Sequence, residues 1–223
     1  MTNHTSKKLE WDEQASKEQD SGKQILRPFN DSQWMLLADE VAQKLELDIP
    51  DISILDVGCG NAHLISLFQD RVASISGVDY ANTMIIQAKK KIPKGEFRVS
   101  SADALPFNDS VFDRTLCYSI FHYFLSDKQV FDTIDELCRV SKDGGIVLIG
   151  DLLDARFEQE IKSKSDLNIE AKLPKIKRYS EWRFIDFDAV SQYLYNEGFR
   201  FEILSQNDTF ATSHYRKDLK IWV

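Results

Sequence analysis

The sequence predicts an α/β fold: a doubly wound, mostly parallel sheet of about seven strands between helical layers, with an antiparallel strand near the C-terminus. Three observations carry that expectation. From residue 52 to residue 150, short apolar runs alternate with stretches of helical period, the rhythm of repeated strand–helix units. Two glycines one residue apart follow the first of those runs directly, in ILDVGCGNAHL (residues 54–64). After residue 150 the rhythm changes to a long polar segment, one more helical stretch and two closing strand-like runs.

Residues 1–28 are polar with isolated apolar positions and end at Pro28. They read as a mobile N-terminal arm and a candidate lid. Asp31 is placed to cap a helix in which Trp34, Leu37, Ala38, Val41 and Leu45 recur at steps of three and four, with Pro50 as its stop. Residues 52–57 are apolar except for Ser53 and Asp56, as expected of a strand buried on both faces. Ala62, Leu64, Ile65, Leu67 and Phe68 predict the next helix, residues 75–78 a second strand, and residues 84–91 a helix begun by Asn82 or Thr83. Residues 97–99 and 112–120 follow as strands. Ser126 and Gln129 have the spacing of a capping box, ahead of a face formed by Val130, Ile134, Leu137 and Cys138. Gly144 and Gly145 are expected to close that helix and release a strand at 146–150. Residues 187–197 form a helix stopped by Gly198, and 201–204 and 219–223 are the closing strands. Residues 29–223 thus form a single domain, with a substrate-covering insertion around 151–183.

Composition narrows the functions. A chain of 223 residues that is 43% hydrophobic suits one substantial domain. Its formal charge of -8 opposes a phosphate backbone, so no nucleic acid partner is expected. No apolar run approaches the roughly 20 residues that cross a bilayer, and the polar start is unlike a secretory signal. A cytoplasmic protein without a membrane partner is the expectation. Cys59, Cys117 and Cys138 are odd in number, far apart and without C-x-x-C spacing, and read as reduced thiols with no metal role.

The glycine turn carries the chemistry. Gly58 and Gly60 permit a tight bend that lets a ligand touch backbone, and the helix behind offers unpaired N–H groups. A dinucleotide fingerprint G-x-G-x-x-G would need glycine at 63, where His63 stands. Asp56, inside the strand end, would crowd a pyrophosphate but suits a ligand presenting an ammonium. Asp79, which lies 19 residues after Gly60, is placed to accept both hydroxyl protons of a ribose.

Strand, D-x-G-x-G, helix and then Val78-Asp79-Tyr80 at the end of the second strand resemble the class I S-adenosylmethionine-dependent methyltransferases, whose sheet is Rossmann-like. ILDVGCGNAHL corresponds to the first motif of that family, with Ala62 in place of its third glycine. DYANTMIIQAKKK is similar to the segment in which Tyr80 and Met84 flank the adenine, and SADALPFNDSVFD to that in which Asp103 accepts from the adenine amino group while the Ala104 backbone faces the ring. FDRTLCYSIFHYF and ELCRVSKDGGIVLIGD match the fourth strand, its helix and the fifth strand. The resemblance covers roughly residues 50–151 and is nearest to the type 11 group, which acts largely on small molecules. It implies S-adenosyl-L-methionine as cofactor, bound by Asp56, Gly58, Gly60, Asp79, Tyr80, Met84, Asp103, Ala104 and Tyr118. Met84 also fits a plain core position on its helix. A scaffold that binds the cofactor without catalysis and a nicotinamide oxidoreductase are the alternative functions.

The sulfonium methyl is already activated, so such an enzyme mainly holds a nucleophile in line in a dry site. A hydroxyl acceptor also wants a base, and His122, in YSIFHY after the fourth strand, is the candidate; a histidine shaping the pocket floor is the other reading. Trp11, Tyr123, Lys177, Arg178, Tyr179 and Trp182 are the candidate substrate contacts. Between residues 162 and 183 seven Lys and Arg face three Asp and Glu. That basic, aromatic segment predicts a small anionic acceptor such as an acidic sugar or glycan precursor.

Overall fold

The computed structural model describes residues 3–18, 20–49 and 51–223. Its strands are β1 Ser53–Val57, β2 Ser74–Asp79, β3 Glu96–Val99, β4 Phe112–Tyr118, β5 Ser141–Leu153, β6 Arg200–Ser205 and β7 Arg216–Trp222. They form one sheet in the order β3-β2-β1-β4-β5-β7-β6. The first five run parallel, and β7 is antiparallel to both of its neighbours. The Rossmann-like, mostly parallel sheet expected from the sequence is therefore the architecture found. From β1 the chain winds outward to β3 and returns to β4 on the other side of β1. A crevice consequently opens at the carboxyl ends of β1 and β4, where such sheets bind ligands.

Alternation along the strands builds two cores. Ile54, Leu116 and Leu148 face a layer made by α3 (Asp31–Lys44), α4 (His63–Ser66) and α5 (Asn82–Lys91). Leu55, Val57, Val147 and Ile149 face α6 (Asp127–Val140) and α9 (Phe187–Asn196) on the other side. The apolar runs of the sequence are continuous because both faces of these strands are covered. Cys59, Cys117 and Cys138 are buried free thiols, and no metal-binding cluster occurs among the described residues.

Several local expectations give way to better-satisfied backbones. Asn30, not Asp31, caps α3, through a capping box with Gln33. Pro50 lies outside the described residues, and α3 has already ended by Leu45, its C-cap. The helix behind the glycine turn is a single turn, because Ala62 enters it in a left-handed conformation at φ 58 and it stops at Ser66. Helix α6 ends at Val140, before the glycine pair, since Ser141 is already extended. The Ser141 hydroxyl bonds Leu137 O at 2.8 Å and Thr115 Oγ1 at 2.7 Å, tying the helix end to the sheet. Gly144, at φ +77, and Gly145 instead lie in β5 where its register with β4 shifts.

The N-terminal arm carries two helices that have no periodic apolar signal in the sequence, α1 (Asn3–Lys17) and α2 (Ser21–Gln24). The buried positions of α1 are Lys7, Trp11 and Ala15, a stripe four residues apart, and Trp11 and Ala15 pack with Ala81, Met84 and Ile176. Residues 154–183 consist of α7 (Glu158–Ser163), α8 (Leu167–Glu170) and 3-10 turns.

Candidate active site

The crevice beyond β1 and β4 is lined by Asp56, Gly58, Gly60, Asp79, Tyr80, Met84 and Tyr118, all predicted from the sequence. The Gly58 and Cys59 N–H groups donate to Val78 O at 2.8 and 3.0 Å, fastening the turn to the next strand. Both glycines have positive φ, +75 at Gly58 and +51 at Gly60. A Cβ at Gly58 would stand 2.5 Å from Ile120 Cγ2, so the turn needs glycine for space as well as conformation. The Asp79 carboxylate joins the turn to the entry of α5: it accepts from Gly60 N at 3.0 Å and from Ala81 N at 2.8 Å.

Asp56 and Asp79 are both buried, and no cationic side chain among the described residues forms an ion pair with either. Burial, together with the charge of Asp79, pushes the Asp56 carboxyl up to about 8. Burial also raises Asp79, to about 6, against the pull of its backbone N–H donors. Two desolvated carboxylates without a countercharge would be satisfied by a ligand that brings an ammonium and hydroxyl donors. Because both folded values lie above the ordinary one, the unliganded protein binds more protons than the unfolded chain between about pH 4 and pH 8, and these two groups lower its stability as pH rises across that window. An ammonium at Asp56 favours the ionised form. Affinity for adenosylhomocysteine should therefore climb from pH 6 to pH 8 with release of protons, measurable by calorimetry in buffers of different ionisation enthalpy; a flat profile would contradict the assignment of these carboxylates.

Asp103 and Ala104 are not on the crevice wall; Ser101, Ala102 and Gln129 are. Asp103 accepts from the Ser101 hydroxyl and, at 3.1 Å, from Gln129 Nε2, so it braces two lining residues. Ala104 is exposed, with its N–H on Ser101 O at 3.3 Å. The phenol of Tyr118 receives Gln206 Nε2 at 3.0 Å, and its ring lies over Gly150, where a Cβ would collide with it.

The predicted base is displaced. His122 is buried between the Tyr123 and Trp182 rings, at centroid distances of 4.1 and 4.5 Å, and does not line the crevice. Its Nδ1 has no partner, and burial holds the imidazole down to about 3, a poor proton acceptor. The basic insertion is also reassigned. Arg178 donates to Leu173 O at 2.8 Å and pairs with Glu181 at 2.9 Å, and neither it nor Lys177 lines the crevice. Lys162, Lys164 and Arg183 are likewise paired, with Glu158, Glu160 and Asp127. Tyr179 is exposed and packs against Trp182 with the rings tilted by 37°, and Trp182 packs behind Tyr123. Of the predicted substrate contacts, Trp11 and Tyr123 reach the crevice, edge to face at 5.6 Å.

Cations do reach the crevice, from elsewhere. Lys7 of α1 donates from Nζ to Tyr123 O at 3.0 Å. Arg27 Nη2 donates to Ser119 Oγ at 2.6 Å and to Asp151, which also receives the Ser119 hydroxyl and, at 2.5 Å, Arg216 Nη1. Ser119 and Asp151 hold left-handed backbones at φ 63 and 64, one just beyond β4 and the other inside β5. Strain of that kind at non-glycine residues collects where function demands it. One sequence signal points here: Asp151 is an ionisable residue placed directly after the apolar run IVLIG, at a sheet edge where ligands bind.

Residues 55–149 match the family described as the methyltransferase domain. A malonyl-[acyl-carrier protein] O-methyltransferase from Buchnera aphidicola is 27% identical over 140 residues, covering 63% of this chain and 52% of that protein. A tRNA (carboxymethyluridine(34)-5-O)-methyltransferase of Arabidopsis thaliana is 33% identical over 97 residues, 43% of this chain and 23% of that protein. The chain spans about half or less of the length of the curated relatives it matches. Among solved structures, phosphoethanolamine N-methyltransferase 1 of Haemonchus contortus, in complex with phosphoethanolamine and S-adenosylhomocysteine, superposes with a TM-score of 0.73 at 13% identity, over 99% of this chain and 49% of that one. At that identity the likeness speaks for the fold. The sequence match and the shared fold coincide on the segment that builds the glycine turn and both carboxylates. Through residues 55–149 the chain is similar to the type 11 group of class I methyltransferases, whose cofactor is S-adenosyl-L-methionine.

Proposed function

We propose that this protein transfers the methyl group of S-adenosyl-L-methionine to a small anionic acceptor. The observation that carries the reading is the pair of buried, uncompensated carboxylates at the glycine turn, Asp56 and Asp79, in a crevice that continues into a cationic, aromatic chamber. Asp56 would hold the ammonium, Asp79 the ribose hydroxyls, and the Gly58–Gly60 backbone would close against the ligand. Tyr80 and Met84, which line the crevice, would flank the adenine, with Ser101 and Gln129 held by Asp103. When bound, the cofactor supplies an activated methyl; the chain's own work is to orient the acceptor and exclude water.

The net charge of -8 favours a small acceptor over a phosphate backbone. Among the described residues, no helix is long and apolar enough to cross a membrane. An acidic sugar or glycan precursor remains the class put forward by the sequence, now with Lys7 and Arg27 as its cationic contacts. His122 takes the supporting role, packing behind Tyr123. Thermal shift with adenosylhomocysteine against NAD separates this reading from an oxidoreductase: a ligand at 100 times its Kd stabilises by about 2.7 kcal/mol. Transfer of labelled methyl to an acidic small-molecule panel separates it from a scaffold. Stabilisation by NAD alone would overturn the proposal.

A further inference from the structure

The acceptor chamber has cations but no uncommitted proton acceptor, and this bears on which atom is methylated. Lys7 is only 4% exposed, and the crevice wall holds its Nζ at Tyr123 O. Both Arg27 bonds run from Nη2, which leaves Nε and Nη1 outside them. Asp151 sits between two guanidinium groups, so Arg27, Arg216 and Asp151 together keep a positive charge to which Lys7 adds. Of the lining residues that could take a proton, Asp56 and Asp79 stand at the glycine turn, the part of the crevice that the proposed function gives to the cofactor. The remaining ones are the Cys59 thiol and the phenols of Tyr80, Tyr118 and Tyr123, all pushed up by burial and protonated at neutral pH, and Lys7, which burial lowers but whose Nζ is engaged as a donor to Tyr123 O. No histidine or glutamate is among the described residues of the wall.

A hydroxyl or an ammonium must lose a proton as it is methylated, and this chamber has nowhere to put one. A carboxylate arrives already ionised at neutral pH. Its planar pair of oxygens matches a guanidinium edge, and it needs cations to leave water. We propose, building on the methyltransferase reading, that the acceptor is a carboxylate on an apolar body, held by Arg27 and Lys7 between Trp11 and Tyr123 and methylated on oxygen to an ester. A carboxylate oxygen lone pair forms the new O–C bond while the C–S bond breaks with its electrons going to sulfur. No proton moves, and the anionic acceptor and cationic sulfonium both become neutral.

The test uses the full chain, titrated first with adenosylhomocysteine and then, saturated with it, with phenylacetate, phenylacetamide, 2-phenylethanol and benzylphosphonate. Absence of adenosylhomocysteine binding defeats the methyltransferase reading itself. With that binding present, phenylacetate should bind at least about tenfold tighter than the amide and the alcohol, a difference of about 1.4 kcal/mol. Arg27→Gln and Lys7→Met should each erase most of that preference while leaving the weak binding of the alcohol as it was. Asp151 keeps Arg216 in the first variant, and the second leaves that cluster untouched, so at least one should fold. With methyl-labelled cofactor, phenylacetate should yield label released as methanol by mild alkali. Equal affinity for the amide, including no binding of either, overturns the inference, as does tighter binding of the phosphonate or a carboxylate preference that survives both substitutions.

Discussion

Asp79→Ala should weaken adenosylhomocysteine binding at least about a hundredfold. The carboxylate has two tasks in the fold. It accepts from Gly60 N and Ala81 N, which sets the glycine turn and the entry to α5, and on the proposed function its remaining lone pairs would accept from the ribose hydroxyls. Hydrogen bonds to a charged group are worth about 1.5–3 kcal/mol each, so loss of two to the ligand exceeds the roughly 2.7 kcal/mol of a hundredfold change. The effect on stability should be small, because a buried carboxylate raised to about 6 is itself costly to ionise. Titration calorimetry paired with a melting curve reads both quantities. Near wild-type affinity would remove Asp79 from the cofactor site.

Asp151→Ala should destabilise the protein by about 3–5 kcal/mol. It strips the shared counterion from Arg27 and Arg216, whose side chains are only 18% and 8% exposed, and breaking one partner of a buried pair leaves a charge that water cannot reach. For a chain of this size that corresponds to a melting temperature lower by roughly 6–20 °C. Burial alone would raise the Asp151 carboxyl, but the two guanidinium groups outweigh it and hold the group well below the usual carboxylate range. Its contribution is therefore complete above the ordinary carboxylate value and fades as pH falls through and below it, so the gap between wild type and variant should narrow on acidification. A variant that melts with the wild type would show that solvent compensates the arginines.

The sheet is legible in the sequence because each central strand is covered on both faces and so reads as an unbroken apolar run, as in Ile54 to Val57. The glycine turn is legible because position 58 has no room for a side chain. Helix α1 is not, since its buried stripe contains a lysine and its sequence has no apolar period. Nor is the cationic cluster: Arg27, Ser119, Asp151 and Arg216 come from segments far apart in the chain and meet only when β4, β5 and β7 align. The excess of Lys and Arg at 162–183 points to Lys177 and Arg178 because a local charge count is blind to pairing, and the structure commits Arg178 to Glu181 and to backbone carbonyls. The pair Gly144 and Gly145 reads as a helix stop, although glycine serves equally where two strands slip register.

Among the described residues, polar ties fasten helix α1 over the crevice from Lys7 to Tyr123 O, from Asp12 to the Thr83 N–H at the start of α5, and from Glu10 to the Ile176 N–H, with Gln14 to Lys23 O and Gln24 to Ala15 O joining it to the α2 segment. At about 0.5–1.5 kcal/mol apiece, with a modest apolar seam at Trp11 and Ala15, these ties are far weaker than the sheet beneath. Lifting the roof is thus a cheap local opening. Were spent cofactor to leave past it, turnover would keep time with the undocking of one helix, and Lys7, a residue of that helix, would have to release Tyr123 O each time.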